Sequence, residues 1–179
     1  MRCFCGKEAF YLQRSSGDPL CPKHLIRRLE RQVAKEASRL GILECKEITI
    51  TYNDYNKPEA LLVYNSLKER AKRRSCPPPR LAEEGEWHPL SAEKVLYLLF
   101  KAFYLGELDP LLDPKEAKNP AYVILPRDLM AYSYVKKISP PKPFGEGPLW
   151  ELALKVATEQ PTETYNSFKL IGKVKEMWG

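Results

Sequence analysis

Ile48-Thr49-Ile50-Thr51-Tyr52 is followed by Asn53-Asp54-Tyr55-Asn56-Lys57-Pro58, and then by apolar positions at Ala60, Leu61, Val63, Tyr64, Leu67 and Ala71. The first five residues alternate in the manner of a strand. The next six read as a loop. Pro58 is placed to open a helix, since a proline in the first turn gives up an amide that has no intrahelical partner anyway. That helix runs into Lys72-Arg73-Arg74. Strand, tight loop and helix form the entry unit of an α/β fold.

Upstream stand four metal-ligand-type side chains, Cys3, Cys5, Cys21 and His24, spaced as C-x-C and C-x2-H. Soft ligands in two close pairs, separated by a hairpin-length insert, suit a structural four-coordinate zinc site. Gly6, the run Phe10-Tyr11-Leu12 and the turn chemistry of Ser15-Ser16-Gly17-Asp18-Pro19 complete a zinc knuckle. Its first pair is one residue shorter than the usual C-x2-C. The plainer alternative is a pair of buried thiols beside a surface histidine.

Pro22 follows Cys21, and the spacing predicts a helix from about Lys23 to Leu40 with Gly41 as its stop. Ile26, Leu29, Val33, Ala37 and Leu40 make its apolar stripe. Arg27, Arg31, Lys35 and Arg39 recur every four residues, with Arg28 beside them. Such a ladder serves either as a solvated face, partly neutralised by Glu30 and Glu36, or as a contact for phosphates. Lys72, Arg73 and Arg74 form a second patch. Their simpler role is to complement the dipole at a helix C-terminus.

The chain has 179 residues, 44% hydrophobic and 29% charged, enough for one globular domain with a small appended module. Its longest apolar run, Val95 to Leu105, is interrupted by Lys101 and is too short to cross a bilayer. Met1-Arg2-Cys3 leads directly into the metal motif, so no secretory leader is expected. Of five cysteines, Cys45 and Cys76 are left outside the motif. Reduced, metal-bound thiols in a cytoplasm fit this usage better than a disulfide framework. A net charge of +6 and a pI near 9.0 permit a polyanionic partner without demanding one.

Residues 75 to 91 read as an exposed, proline-rich connection. An apolar helix follows from Ala92 to Tyr104, with Tyr97, Phe100, Phe103 and Tyr104 spaced like a helix core. Tyr122 to Leu125 reads as a short buried strand, Asp128 to Lys137 as a helix, and two more helices are expected at about 148–159 and 163–177. There is no internal repeat.

The first 43 residues resemble the N-terminal zinc finger and linker helix of archaeal-type tRNA 2-thiouridine synthetases, members of the PP-loop (N-type ATP pyrophosphatase) superfamily. The resemblance rests on Cys3/Cys5, Gly6-Lys7-Glu8-Ala9, Phe10-Tyr11-Leu12, Arg14-Ser15-Ser16-Gly17 and Leu20-Cys21-Pro22-Lys23-His24, and on the helix after them. It implies a zinc finger over 1–25, a linker helix over 26–46 and a PP-loop-like α/β domain (adenine nucleotide alpha hydrolase-like) over 47–179.

The chain departs from the family where the chemistry should lie. Active members carry S-G-G-K-D-S after the first strand; here stand Tyr52-Asn53-Asp54-Tyr55-Asn56-Lys57, without the glycines that let backbone amides approach phosphate. The paired aspartates of T-G-H-N-x-D-D are absent from Trp87-His88-Pro89-Leu90-Ser91-Ala92-Glu93-Lys94. No C-x2-C follows residue 24, the second zinc ribbon is missing, and the chain is shorter than an active member. The expectation is therefore a shortened, degenerate relative without ATP binding or catalysis. It would bind tRNA or another structured RNA through Arg27, Arg31, Lys35, Arg39, Lys72, Arg73 and Arg74, or pair with a catalytic thiolation paralogue. The alternative is a zinc-dependent protein-interaction module, associated with ribosomes or transcription. A small enzyme using Cys76 lacks an identifiable base, and His88 lacks an orienting partner.

Overall fold

Gly6 and Gly17, with φ of +82° and +70°, turn the chain twice within its first 20 residues. The Gly6 N–H donates to the Cys3 carbonyl and the Gly17 N–H to the Gln13 carbonyl, both at 2.8 Å. On either side of the second turn, β1 (Tyr11–Leu12) pairs antiparallel with β2 (Pro19–Leu20), Tyr11 opposite Leu20. The computed structural model describes residues 1–13 and 16–178, residue 178 by its backbone alone, so Arg14 and Ser15 of the resemblance lie outside the described residues.

α1 (Pro22–Arg39) starts from Cys21, an extended cap residue, with Pro22 in the first turn. It ends at Leu40, ahead of Gly41 at φ +70°. Its buried residues are Leu25, Leu29, Val33 and Ala37, at unbroken four-residue spacing. The expected stripe is thus displaced at both ends: Ile26 and Leu40 only flank the core, and Leu25 takes the first buried position.

The entry unit forms as expected. β3 (Thr49–Thr51) leads through a short loop into α2 (Lys57–Arg74), with Pro58 in the helix's first turn. The chain then returns as β4 (Arg80–Ala82), parallel to β3 with Ile50 opposite Leu81. This corrects the reading of residues 75 to 91 as an exposed connection. The other edge of β3 bonds to Trp87, whose carbonyl accepts the Thr51 N–H at 2.8 Å; the indole is only 1% exposed. Gly85 allows this close passage, because a Cβ there would stand 2.8 Å from both the Thr49 carbonyl oxygen and the Thr51 nitrogen.

Cys45 and Cys76 form a disulfide, with Cα atoms 5.2 Å apart, joining the segment after α1 to the C-terminal end of α2. The expectation of two leftover thiols is corrected. They lie 31 residues apart in sequence, and the β3–α2 excursion brings them together. A bonded sulfur is no thiolate nucleophile, so Cys76 as it stands cannot serve the enzyme reading.

α3 (Ala92–Leu105) ends at Gly106 in the left-handed region, and packs against α5 (Gly147–Glu159). Its core face is Val95, Leu96, Leu98, Leu99 and Ala102; the expected Phe103 and Tyr104 are exposed instead. α4 (Pro126–Lys136) touches α1, α2 and α5. Tyr122 to Leu125 is buried as expected but is not a strand. Gln32 and Tyr165 side chains donate to the Val123 carbonyl, the Ile124 N–H donates to the Ala121 carbonyl, and the Ile124 carbonyl accepts from the Ala92 N–H. With those groups satisfied, the segment needs no ladder. α6 (Pro161–Ser167), a 3-10 turn at Phe168–Leu170 and α7 (Ile171–Trp178) close the chain. The fold is mixed α/β and mostly helical. Among the described residues no helix is long and apolar enough to cross a membrane.

Candidate metal centre, cationic groove and β3–α2 loop

Cys3 and Cys5 lie on the Gly6 turn, Cys21 caps α1, and His24 sits in the first turn of that helix. Their ligand atoms all lie within 4.8 Å of one another. Cys3 and Cys21 sulfurs each stand 3.3 Å from His24 Nδ1, and Cys5 and Cys21 sulfurs stand 3.8 Å apart. Four sulfur and nitrogen ligands about 2.0–2.3 Å from one tetrahedral ion are separated by roughly 3.5–3.8 Å. The geometry therefore suits a single metal ion. A four-iron cluster would place each ligand on a different iron and spread the ligand atoms further.

Cys3 and Cys21 are buried, whereas Cys5 is exposed. Burial raises the Cys3 thiol, but the backbone N–H groups of Cys5 and Cys21 and the His24 ring outweigh it and bring the group down to about 6. A thiolate is the form a metal needs. Phe4 covers the imidazole, ring centroids 4.2 Å apart. The finger is anchored twice: Arg28 pairs with Asp18, and the Tyr11 hydroxyl donates to Asp128 at 2.7 Å. Burial first, then the Asp128 charge, pushes the Tyr11 phenol up.

α1 and α2 pack side by side, and a groove of about 250 Å³ runs between them. Arg27 and Arg31 line it from α1, Arg70 and Arg73 from α2, with Glu30 and Glu69 among them. The structure thus gathers three of the seven cations singled out from the sequence and adds Arg70, which sequence reasoning misses. Lys35, Lys72 and Arg74 are exposed outside this groove. Arg39 pairs with Glu36 at 2.6 Å and donates to the Tyr122 hydroxyl, so it is less free to meet a ligand.

In the β3–α2 loop, Asn56 is 3% exposed. Its Oδ1 accepts the Asn53 N–H at 2.9 Å and its amide donates to the Thr51 carbonyl at 3.0 Å. Asn53 Oδ1 in turn accepts the N–H groups of Tyr55 and Asn56, at 3.0 and 3.2 Å. The amides of Asn53, Tyr55 and Asn56 are therefore bonded to the loop's own side chains. Asp54 projects outward to Lys142 at 2.6 Å, and the lysine holds its carboxyl below the usual range.

Beneath the loop lies an ionic cluster. Glu59 and Lys94 are fully buried and paired, and Lys94 also donates to the Tyr55 carbonyl. Ser91 Oγ lies 2.8 Å from Glu59 Oε1 and 2.6 Å from Glu93 Oε1. Burial, and next the Glu59 charge, push Glu93 up to about 7. His88 stands 3.2 Å from the Thr51 hydroxyl, and burial moves its pKa down.

No family model matches the chain, and no curated protein sequence matches it. A solved structure does: the U34-tRNA thiolase NcsA from Methanococcus maripaludis, described with its 4Fe–4S cluster, has a TM-score of 0.68 and 13% sequence identity. The match covers 98% of this chain and 87% of that one. At such identity the likeness establishes the fold, a thiolase-like α/β scaffold. It gives no support to the expected shortening, since most of the neighbour's length is spanned.

Proposed function

We propose that this protein is a non-catalytic relative of the tRNA thiolation enzymes that binds tRNA or another structured RNA and has given up ATP. The β3–α2 loop carries the reading. A phosphate-holding loop offers small residues and free amides to an anion. Here the Asn53 and Asn56 side chains occupy the amides of Asn53, Tyr55 and Asn56, and Glu59 sits in the first turn of α2, where an anionic phosphate would profit from the helix dipole.

RNA recognition falls to the arginines of the α1–α2 groove, with Lys35, Lys72 and Arg74 as outlying phosphate contacts. Zinc, held by Cys3, Cys5, Cys21 and His24, orders a finger too small to form a core by itself. The partner role beside a catalytic paralogue and a cytoplasmic location belong to the same reading. Calorimetric titration with Mg-ATP should show no binding, while the purified protein should retain tRNA in a filter assay. Micromolar ATP binding overturns the first half, and failure to retain tRNA the second.

A second reading, a zinc-dependent protein-interaction module, is favoured by one feature of the finger. Met1, Phe4 and Leu12 are 68%, 80% and 53% exposed, an apolar surface on a small metal module.

A further inference from the structure

The Cys45–Cys76 disulfide lies in the wall of a small pocket, about 80 Å³, shared with Leu43, Leu67, Arg70 and Arg74. Its two ends are held differently. Cys76 belongs to the cap of α2: its N–H donates to the Ala71 carbonyl at 3.0 Å, just after Ser75 in the left-handed region. Cys45 stands between α1 and β3, outside helix and strand. It is exposed, whereas Cys76 is half-buried, so the bridge is approached from the Cys45 side.

The charges around the bridge do not balance. Glu44, the carboxylate of the pocket wall, is paired with Lys46 at 2.7 Å. The Arg70 and Arg74 guanidiniums form no ion pair among the described residues. Burial first, then the Arg74 charge, move the Arg70 pKa down, and no carboxylate opposes that shift. Two crowded cations beside a pocket call for an anion. Sites for drug-sized ligands run to roughly 300–1,000 Å³, so about 80 Å³ admits the sulfur end of a small thiol and no nucleotide. A bridged sulfur, although no nucleophile, is an electrophile towards a thiolate.

We infer that the Cys45–Cys76 bridge is an exchange site for small anionic thiols, drawn in by Arg70 and Arg74. The thiol gives its proton to solvent, and the thiolate attacks Cys45 Sγ. A new S–S bond forms there as the bond to Cys76 breaks, and the Cys76 sulfur leaves with the electron pair as a thiolate. The two guanidiniums of the pocket favour that leaving group. Cys76 stays with the α2 cap, and Cys45 carries the adduct on its more open segment. Exchange cuts the covalent tie at the end of α2, close to Arg70, which also lines the α1–α2 groove. The exchange itself does not depend on the RNA reading.

The test measures loss of the bridge in the full-length, zinc-loaded protein at low ionic strength, with alkylation and peptide mass mapping. Three probe thiols differ in charge: 2-mercaptoethanesulfonate, 2-mercaptoethanol and cysteamine. Rates are compared per thiolate. The anionic probe should react faster than the neutral one by about threefold or more, with the cationic probe slowest, and added salt should compress the order. The adduct should map to Cys45 and the alkylated thiol to Cys76. Arg70→Gln/Arg74→Gln should collapse the order; Arg74→Gln alone, at an exposed helix end, should reduce it and serves if the double variant fails to fold. Equal or reversed rates among the three probes, no exchange with any of them, or an order unchanged in the arginine variants overturns the inference. None of these readouts uses RNA, so failure here and failure of tRNA binding are separate results.

Discussion

Asn53 and Asn56 lock each other across the β3–α2 turn: Asn56 Oδ1 accepts the Asn53 N–H at 2.9 Å, and Asn53 Oδ1 accepts the Asn56 N–H at 3.2 Å. The turn between β3 and α2 is thereby closed on itself. Replacing Asn56 by Ala leaves the Asn53 N–H and the Thr51 carbonyl without that partner. A loss of about 1–3 kcal/mol in urea unfolding is expected, with Mg-ATP still giving no heat, because emptying the turn restores neither glycines nor charge.

Metal should be integral to the fold of the finger. The purified protein should carry one zinc per chain by elemental analysis. Cys21→Ser removes a buried ligand at the start of α1 and should lower both zinc content and the melting temperature. Full zinc occupancy in that variant would assign the ion elsewhere.

Glu93 makes stability depend on pH. Its folded pKa of about 7 lies above the ordinary 4.5. The folded state therefore binds more protons across that interval, and stability falls as pH rises from about 4.5 to 7. Below the interval both states are protonated and nothing is lost. Glu93→Gln should remove the slope and raise stability at pH 8 by about 2–4 kcal/mol relative to the parent, with little difference at pH 4.5. Chemical unfolding at the two pH values measures this directly.

The Cys45–Cys76 bridge joins residues 31 apart in the chain. Constraint of the unfolded chain over such a loop contributes roughly 3–4 kcal/mol. Cys76→Ala, or reduction by dithiothreitol, should lower the unfolding midpoint accordingly. Thiol counting under denaturing, non-reducing conditions should find Cys45 and Cys76 unreactive.

The finger and the strand–loop–helix unit are legible in the sequence because their signals are local. Ligand spacing, turn glycines and Pro58 act within a few residues. β4 is not, because three residues between Pro79 and Glu83 carry little periodicity and gain their structure only beside β3. The disulfide and the groove depend on how distant segments lie together, which is why Arg70 is invisible along any single helix face. Glu59, Lys94 and Glu93 are hardest to place, since isolated charges default to the surface and only their mutual neutralisation permits burial. Tyr122 to Leu125 misleads in the opposite direction: its burial is legible, but distant donors from Gln32 and Tyr165 remove the need for a strand partner.

The most direct measurement is tRNA affinity as a function of salt, by fluorescence anisotropy, for the parent and for Arg31→Gln and Arg73→Gln. Phosphate binding in the α1–α2 groove predicts weaker affinity for each variant. The log–log salt slope should fall by about one for every phosphate that is no longer neutralised. Affinity and slope identical to the parent in both variants would contradict RNA recognition by this groove.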